Sequence, residues 1–188
     1  TDELGRDILS RIIYGTRISL EAGLLAVLVA AGVGVLTGLI AGYVGGWIDA
    51  VIMRVWDTLL AFPAIFLAIG IVTVAGPGYM NAVLAVAIIN IPTFARLVRA
   101  TTLSVKAKDF VEATYAIGAT SSHIMFRTIL PNCVAPVVVQ MAIAAPAAIL
   151  VEASLSYLGL GSQPPTPSWG NMLTAAQSYL FRSPTYGL

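Results

Sequence analysis

A single histidine, His123, and a single cysteine, Cys133, are the only imidazole and thiol in the 188 residues. Neither has the company that catalysis or metal binding requires. No HExxH, GxSxG or GxxxxGK[ST] pattern occurs, so the chain offers no zinc helix, no nucleophile elbow and no loop to cradle ATP phosphates. One cysteine excludes an internal disulfide and a cysteine-held cluster, and a hydrolase would lack its general base. The chain is therefore not expected to be an enzyme, to bind a metal or to carry a cofactor of its own. The remaining chemistry is recognition, concentrated in residues 107–132, a polar and charged island between long uncharged stretches. Within it Phe110, Ala113, Thr114 and Ile117 recur at i, i+3, i+4, i+7, the spacing of one helical face, while Asp109 and Glu112 fall off that stripe. Gly118 supplies the left-handed residue that closes such a helix, and Thr120, Ser121 or Ser122 can cap a second one running through His123 to Pro131. The spacing predicts a helical hairpin whose apolar stripe docks on a soluble partner.

The elements that position this hairpin follow from composition. With 58% hydrophobic and 10% charged residues and a mean hydropathy of +0.89, the chain lies far from the roughly 25% charge of soluble domains. No charged residue occurs in 22–48, 58–95 or 128–151, and each stretch reaches the ~20 residues that cross ~30 Å of hydrocarbon. Gly76-Pro77-Gly78 divides the middle stretch. The expected fold is all-α, a polytopic helical bundle of four to five transmembrane helices, with spans near 19–43, 58–75, 80–99 and 132–151. Three regions result: an extracytoplasmic segment over 1–18, a membrane core over 19–151 with its loop at 100–131, and a polar extracytoplasmic segment over 152–188. The chain starts at Thr1 with no signal-peptide pattern and ends in a polar, Pro-containing tail, so it reads as incomplete.

Charge sets an orientation. Arg54, Arg96, Arg99, Lys106, Lys108 and Arg127 make six basic residues on the island's side, against Arg6, Arg11, Arg17 and Arg182 opposite, which places the island in the cytoplasm. A net charge of +1 gives no reason for a nucleic-acid partner. Arg96 and Arg99 are expected to anchor a span end at the headgroups, and Asp49, Arg54 and Asp57 to form a local ion-pair set in an inner turn over 44–57.

Small residues at Ala22, Ala26, Ala30, Gly34, Gly38, Gly42 and Gly46 repeat every four positions, an i±4 ridge that lets another helix approach closely. Packing within the subunit is the expected use of this ridge, a subunit interface the alternative. Pro92, Pro136 and Pro146 interrupt spans as kinks or as breaks lining a substrate path. Asn90, Pro92, Gln140 and Glu152 are the candidates for such a path, although Glu152 is also placed to snorkel to the outer interface.

The island EATYAIGATSSHIMFRTILPN resembles the EAA loop of ABC-importer permeases: Glu-Ala-Ala, three residues, Gly, nine residues, then Ile-x-Leu-Pro. Glu112, Ala113, Gly118, Leu130 and Pro131 match in register, whereas Thr114 and Thr128 depart from the pattern. Segments TDELGRDILSRIIYGTRISL, GYVGGWIDAVIMRVWDTLLAFP, FARLVRATTLSVKAKDFVEA and EASLSYLGLGSQPPTPSWGNML extend the likeness over nearly the whole chain, to the C-type subunit of the dipeptide/oligopeptide/nickel permease subfamily.

That resemblance implies a MetI-like permease core, trimmed from a six-helix subunit of a bacterial or archaeal inner membrane. The implied partners are a second, B-type permease subunit, two cytoplasmic ATPases that bind ATP and Mg, an extracytoplasmic solute-binding protein and membrane lipid. It assigns ATPase coupling to Asp109, Phe110, Glu112, Ala113, Thr114, Ile117, Gly118, Ala119, Leu130 and Pro131. Topology points to 1–17 and 157–188, with Trp169 and the Gln163-Pro164-Pro165 turn, as the surface near the binding protein. The cargo, whether dipeptide, oligopeptide, nickel chelate or another small solute, is not legible. An ATP-independent carrier or a channel is the alternative reading; the first gives no reason for an EAA-type hairpin, and the second wants a filter sequence that is not visible.

Overall fold

A computed structural model describes residues 5–177 and residue 179; residues 1–4, 178 and 180–188, which include Arg182, lie outside the described residues. The described chain is helical without strands: α1 (Ile8–Val44), α2 (Gly46–Leu60), α3 (Ala64–Ala75), α4 (Tyr79–Lys106), α5 (Asp109–Ala116), α6 (Ser121–Tyr157) and α7 (Trp169–Gln177). Three of these, α1, α4 and α6, are long and apolar enough to cross a membrane, and α2 with α3 forms a fourth, broken candidate.

Several boundaries differ from expectation for local reasons. α1 starts at Ile8 because Asp7 caps it, its Oδ2 accepting from the Ser10 amide at 2.8 Å and from the Ser10 hydroxyl. The Ser10 hydroxyl bond, with the amide bond, holds the Asp7 carboxyl below its usual range. The anticipated inner turn over 44–57 is instead the helix α2. Gly45 and Gly46, at φ 72° and 58°, turn the chain in a left-handed conformation open to glycine, and α2 begins at once. The expected helix over 58–75 is shortened to α3, since Pro63 lies extended ahead of it. The break at Gly76-Pro77-Gly78 is present, with Asn81 Nδ2 donating to the Ala75 and Gly76 carbonyls at 3.0 and 2.9 Å.

The second arm of the hairpin does not stop at Pro131. It continues into the last span as α6, through a π-helical turn over Ile124–Ile129. Pro131 has no amide to offer, and in a regular α-helix its ring would crowd the carbonyl of Arg127, so the wider turn lets the helix proceed. α4 likewise runs through Pro92 and α6 through Pro136 and Pro146 without a break.

The chain forms two compact units. One comprises 28–62 and 88–144, and in it the small-residue ridge of α1 meets α4. A Cβ on Gly34 would lie 2.9 Å from the Ile91 carbonyl oxygen, and one on Gly42 2.9 Å from the Arg99 carbonyl oxygen; Gly38 faces the Ala95 backbone. The ridge therefore serves packing within the chain, as expected, but it ends at Gly42, because Gly46 belongs to α2 and is exposed. Arg96 and Arg99 are engaged by carboxylates of α2. Arg99 pairs bidentately with Asp49 at 2.5 Å and Arg96 with Asp57 at 2.5 Å, joining α4 to α2 in place of a set local to α2.

The other unit comprises 1–27, 63–87 and 145–188. Its polar segment after α6 is stapled down. Gly78 N–H donates to the Leu160 carbonyl at 3.0 Å, Trp169 N–H to Ser19 Oγ at 3.2 Å, and Asn171 Nδ2 to the Thr166 carbonyl at 2.7 Å. Gly170 lies so close to Ser156 and Tyr157 of α6 that a side chain there has no space.

The α1–α4 contact makes a direct prediction. Gly38→Val inserts carbons against the Ala95 backbone and should destabilise by about 1–3 kcal/mol or prevent assembly. Gly32→Ala, where a Cβ meets nothing within 4 Å, should leave the melting temperature in detergent unchanged or slightly raised.

Candidate functional site

The loop between α4 and α6 is the expected hairpin. Its first arm, α5, has only eight residues, and an isolated helix shorter than about 12 residues is not stable in water. It is held by its ends and its back. Lys108 enters in extended conformation, and Asp109 and Glu112 place carboxylates in the first turn, where the helix dipole favours them. At the far end Gly118, at φ 79°, closes a Schellman motif: Ala119 N–H donates to the Thr114 carbonyl at 3.3 Å and Gly118 N–H to the Tyr115 carbonyl at 2.9 Å. Thr120 then caps α6, its Oγ1 accepting from His123 N–H at 3.3 Å. His123 itself is exposed.

The back of α5 packs on the π-helical turn, with Val111, Ile124 and Ile129 fully buried. One side is anchored to the ends of two spans. Tyr115 Oη donates to Tyr43 Oη at 2.9 Å, and Lys106 Nζ donates to the Tyr43 carbonyl at 2.7 Å while lying 5.3 Å from the centre of the Tyr43 ring. That carbonyl belongs to the last turn of α1, which has no partner within its own helix, so a lysine there meets both an orphan acceptor and the negative end of the dipole. The hydrogen bond with Tyr43, aided by burial, pushes the Tyr115 phenol up to about 12.

With its back thus fixed, α5 leaves the stripe bare. Ile117 is 83% exposed and Phe110 43%, and Ala113 is exposed as well. Thr114 is half-buried, its hydroxyl donating to the Phe110 carbonyl at 2.7 Å. Asp109 and Glu112 are exposed, Ala119 and Leu130 half-buried and Pro131 exposed. The arrangement offers a rigid apolar ridge with two flanking carboxylates, which suits docking into a groove and nothing covalent. Among the described residues, no group of three or more His, Cys, Asp or Glu could hold a metal ion.

The path candidates are divided between the two units. Asn90 and Gln140 are half-buried and Pro92 is buried, all in the unit that carries the hairpin, whereas Glu152 belongs to the other. Glu152 does not snorkel. It is 1% exposed, with Oε1 accepting from the Ser156 hydroxyl at 2.7 Å and Oε2 buried without a partner. Tyr43, Val111 and Tyr115 support the hairpin but escaped the sequence reading, and Lys106 entered it only as a charge. Val111 had a signal, as an apolar residue off the exposed stripe; the Tyr43 contacts join residues 63 and 72 positions apart and leave none.

Comparison with known proteins adds an independent finding. Residues 34–186 match the model of the family described as binding-protein-dependent transport system inner membrane component. The dipeptide transport system permease protein DppC of Alkalihalophilus pseudofirmus is 47% identical over 98% of this chain and 60% of its own length. The glutathione transport system permease proteins GsiD of Pectobacterium atrosepticum and of Escherichia coli are 51% and 50% identical over 97% of this chain and 61% and 60% of theirs. The chain thus spans about three-fifths of the curated relatives it matches.

The Tyr43 contacts carry their own test. Tyr115→Phe should cost about 1 kcal/mol and speed amide hydrogen exchange across 109–117, while Tyr43→Phe added to it should cost little more, because one hydrogen bond is lost in either case.

Proposed function

The chain belongs to the family of binding-protein-dependent transport system inner membrane components, and from that premise we propose that it is the membrane core of an ATP-driven importer's permease subunit. It forms half of the translocation path, and the α5–α6 hairpin is the surface on which a cytoplasmic ATPase docks. The observation that carries this is the pairing of opposites on α5: Val111 at 0% exposure beside Ile117 at 83%. A helix so firmly backed and so bare in front is built to be pushed. The cargo class is peptides or similar small solutes, in keeping with the dipeptide and glutathione systems to which the similar proteins belong.

In this reading the basic residues of the α4–α6 region face the cytoplasm and the stapled segment 158–177 faces outward, where a solute-binding protein delivers cargo. A second permease subunit completes the path, and two ATPases supply ATP and Mg. The chain itself is not catalytic. ATP-driven closure of the ATPases moves α5, and Val111, Tyr115 and Lys106 pass the displacement to the ends of α1 and α4. Such coupling requires that the docked ATPase contact α5 differently in two states, since a partner bound equally to both would shift nothing.

The test uses the full-length permease reconstituted with its partner subunit, ATPases and binding protein. Ile117→Glu should lower binding-protein-stimulated ATP hydrolysis at least tenfold, equivalent to about 1.4 kcal/mol of coupling, with the spans still inserted. Transport that persists in the variant, or that needs no ATPase at all, would replace this reading with an ATP-independent carrier. Trp169→Ala should instead spare basal hydrolysis and weaken only its stimulation by the binding protein.

A further inference from the structure

The helix α2 has no fully buried residue, yet it is not loosely attached. Its contacts to α4 are polar: Asp49 with Arg99 and Asp57 with Arg96. Away from them lie Trp47, 75% exposed, Val51, 52%, and Val55, 53%, at i, i+4 and i+8 along one face, with exposed Arg54 among them. The last turns of α1 also expose apolar side chains, Ile40 at 37% and Val44 at 50%. α1 is a membrane-crossing candidate, so its apolar exterior is solvated by lipid.

Two further observations say what covers α2. The first is length. α3 has twelve residues, which rise about 18 Å, whereas the hydrocarbon core is about 30 Å thick. If α3 carries the return crossing, the chain just before it must sit within the membrane boundary and not beyond it. The second is charge. Both carboxylates of α2 are taken up by arginines of α4, whereas Arg54 is exposed and in no ion pair among the described residues. A tryptophan and valines with an arginine among them suit the acyl boundary, the long arginine stem carrying its charge up to the phosphates.

We propose that α2 is an interfacial helix, lying in the headgroup–acyl boundary with Trp47, Val51 and Val55 in the acyl region and Arg54 at the lipid phosphates. The occupant of this face is lipid, and the crossing of α3 on which the length argument rests is that of the topology proposed above. By holding Arg96 and Arg99, α2 fixes the cytoplasmic half of α4 to the plane of the membrane surface. The hairpin then moves against a lipid-anchored support.

The experiment uses the complete reconstituted transporter with Trp47 as its only tryptophan, the others replaced by Phe. Vesicles of phosphatidylethanolamine and phosphatidylglycerol carry acyl chains brominated at shallow or deep positions. Trp47 emission should be quenched severalfold more by shallow than by deep bromines, and only weakly by acrylamide from the water. Quenching by acrylamide without bromine quenching would overturn the proposal in favour of an aqueous face. Shielding from both would overturn it in favour of a protein partner, such as the second permease subunit. If the tryptophan replacements impair folding, a nitroxide on Val51→Cys supplies the same readout, with collision by oxygen expected to exceed collision by a water-soluble nickel chelate. Neither readout depends on ATP hydrolysis, so failure here leaves the coupling assignment standing, and failure of coupling leaves lipid contact measurable.

Discussion

The interaction on which the rest depends is the set of contacts converging on Tyr43. An eight-residue helix cannot hold its shape alone, and α5 would be a loop without Val111 behind it and Tyr115 bonded to the Tyr43 hydroxyl. The same tyrosine receives Lys106 on its backbone carbonyl. One residue at the end of α1 therefore gathers the ends of α4 and α5. Each bond contributes only about 1 kcal/mol to stability, and their value lies elsewhere. In the proposed function they convert a push on the exposed stripe into a displacement of two spans.

For that displacement to travel, the spans must move together. Gly34, Gly38 and Gly42 bring the backbone of α1 against that of α4 where any larger side chain would intrude. In lipid no hydrophobic drive pulls helices together, so close backbone packing supplies the association. Below that contact, Asp49 and Asp57 hold α4 to α2 through Arg99 and Arg96. The bidentate Asp49–Arg99 pair, the less exposed of the two, fixes orientation as well as proximity. Glycine contacts, ion pairs and the Lys106–Tyr43 bond thus share the C-terminal half of α4, from Ile91 to Lys106.

Much of this was legible in local sequence pattern. The exposed stripe, the left-handed Gly118, the Thr120 cap and the break at Gly76-Pro77-Gly78 all follow from residues within a turn of one another, and each is present. The ridge on α1 was legible too, because an i±4 repeat declares a surface, though not its last member. Gly46 continues the spacing but follows Gly45, and two consecutive left-handed glycines end the helix that the repeat describes. What was missed depends on distant pairing. Arg96 and Arg99 at the end of a span look like headgroup anchors until their carboxylates, 39 and 50 residues away, are seen beside them. Glu152 at the end of an apolar run looks free to reach water, but it is buried and accepts from Ser156 one turn on. Helix α2 was hidden because its amphipathic pattern is bounded by glycines and a proline that also suit a turn. Of the sites themselves, the hairpin was readable as a shape and its Tyr43 base was not.

The most direct test of the central claim is contact. A photo-crosslinking amino acid at Ile117 in the complete transporter should capture the ATPase subunit in high yield, whereas the same probe at exposed Ser104, on α4 away from the stripe, should capture little of it. Capture at Ile117 that changes in yield when ATP is bound would establish the stripe as the moving contact. Equal capture at both positions, or none at Ile117, would contradict it.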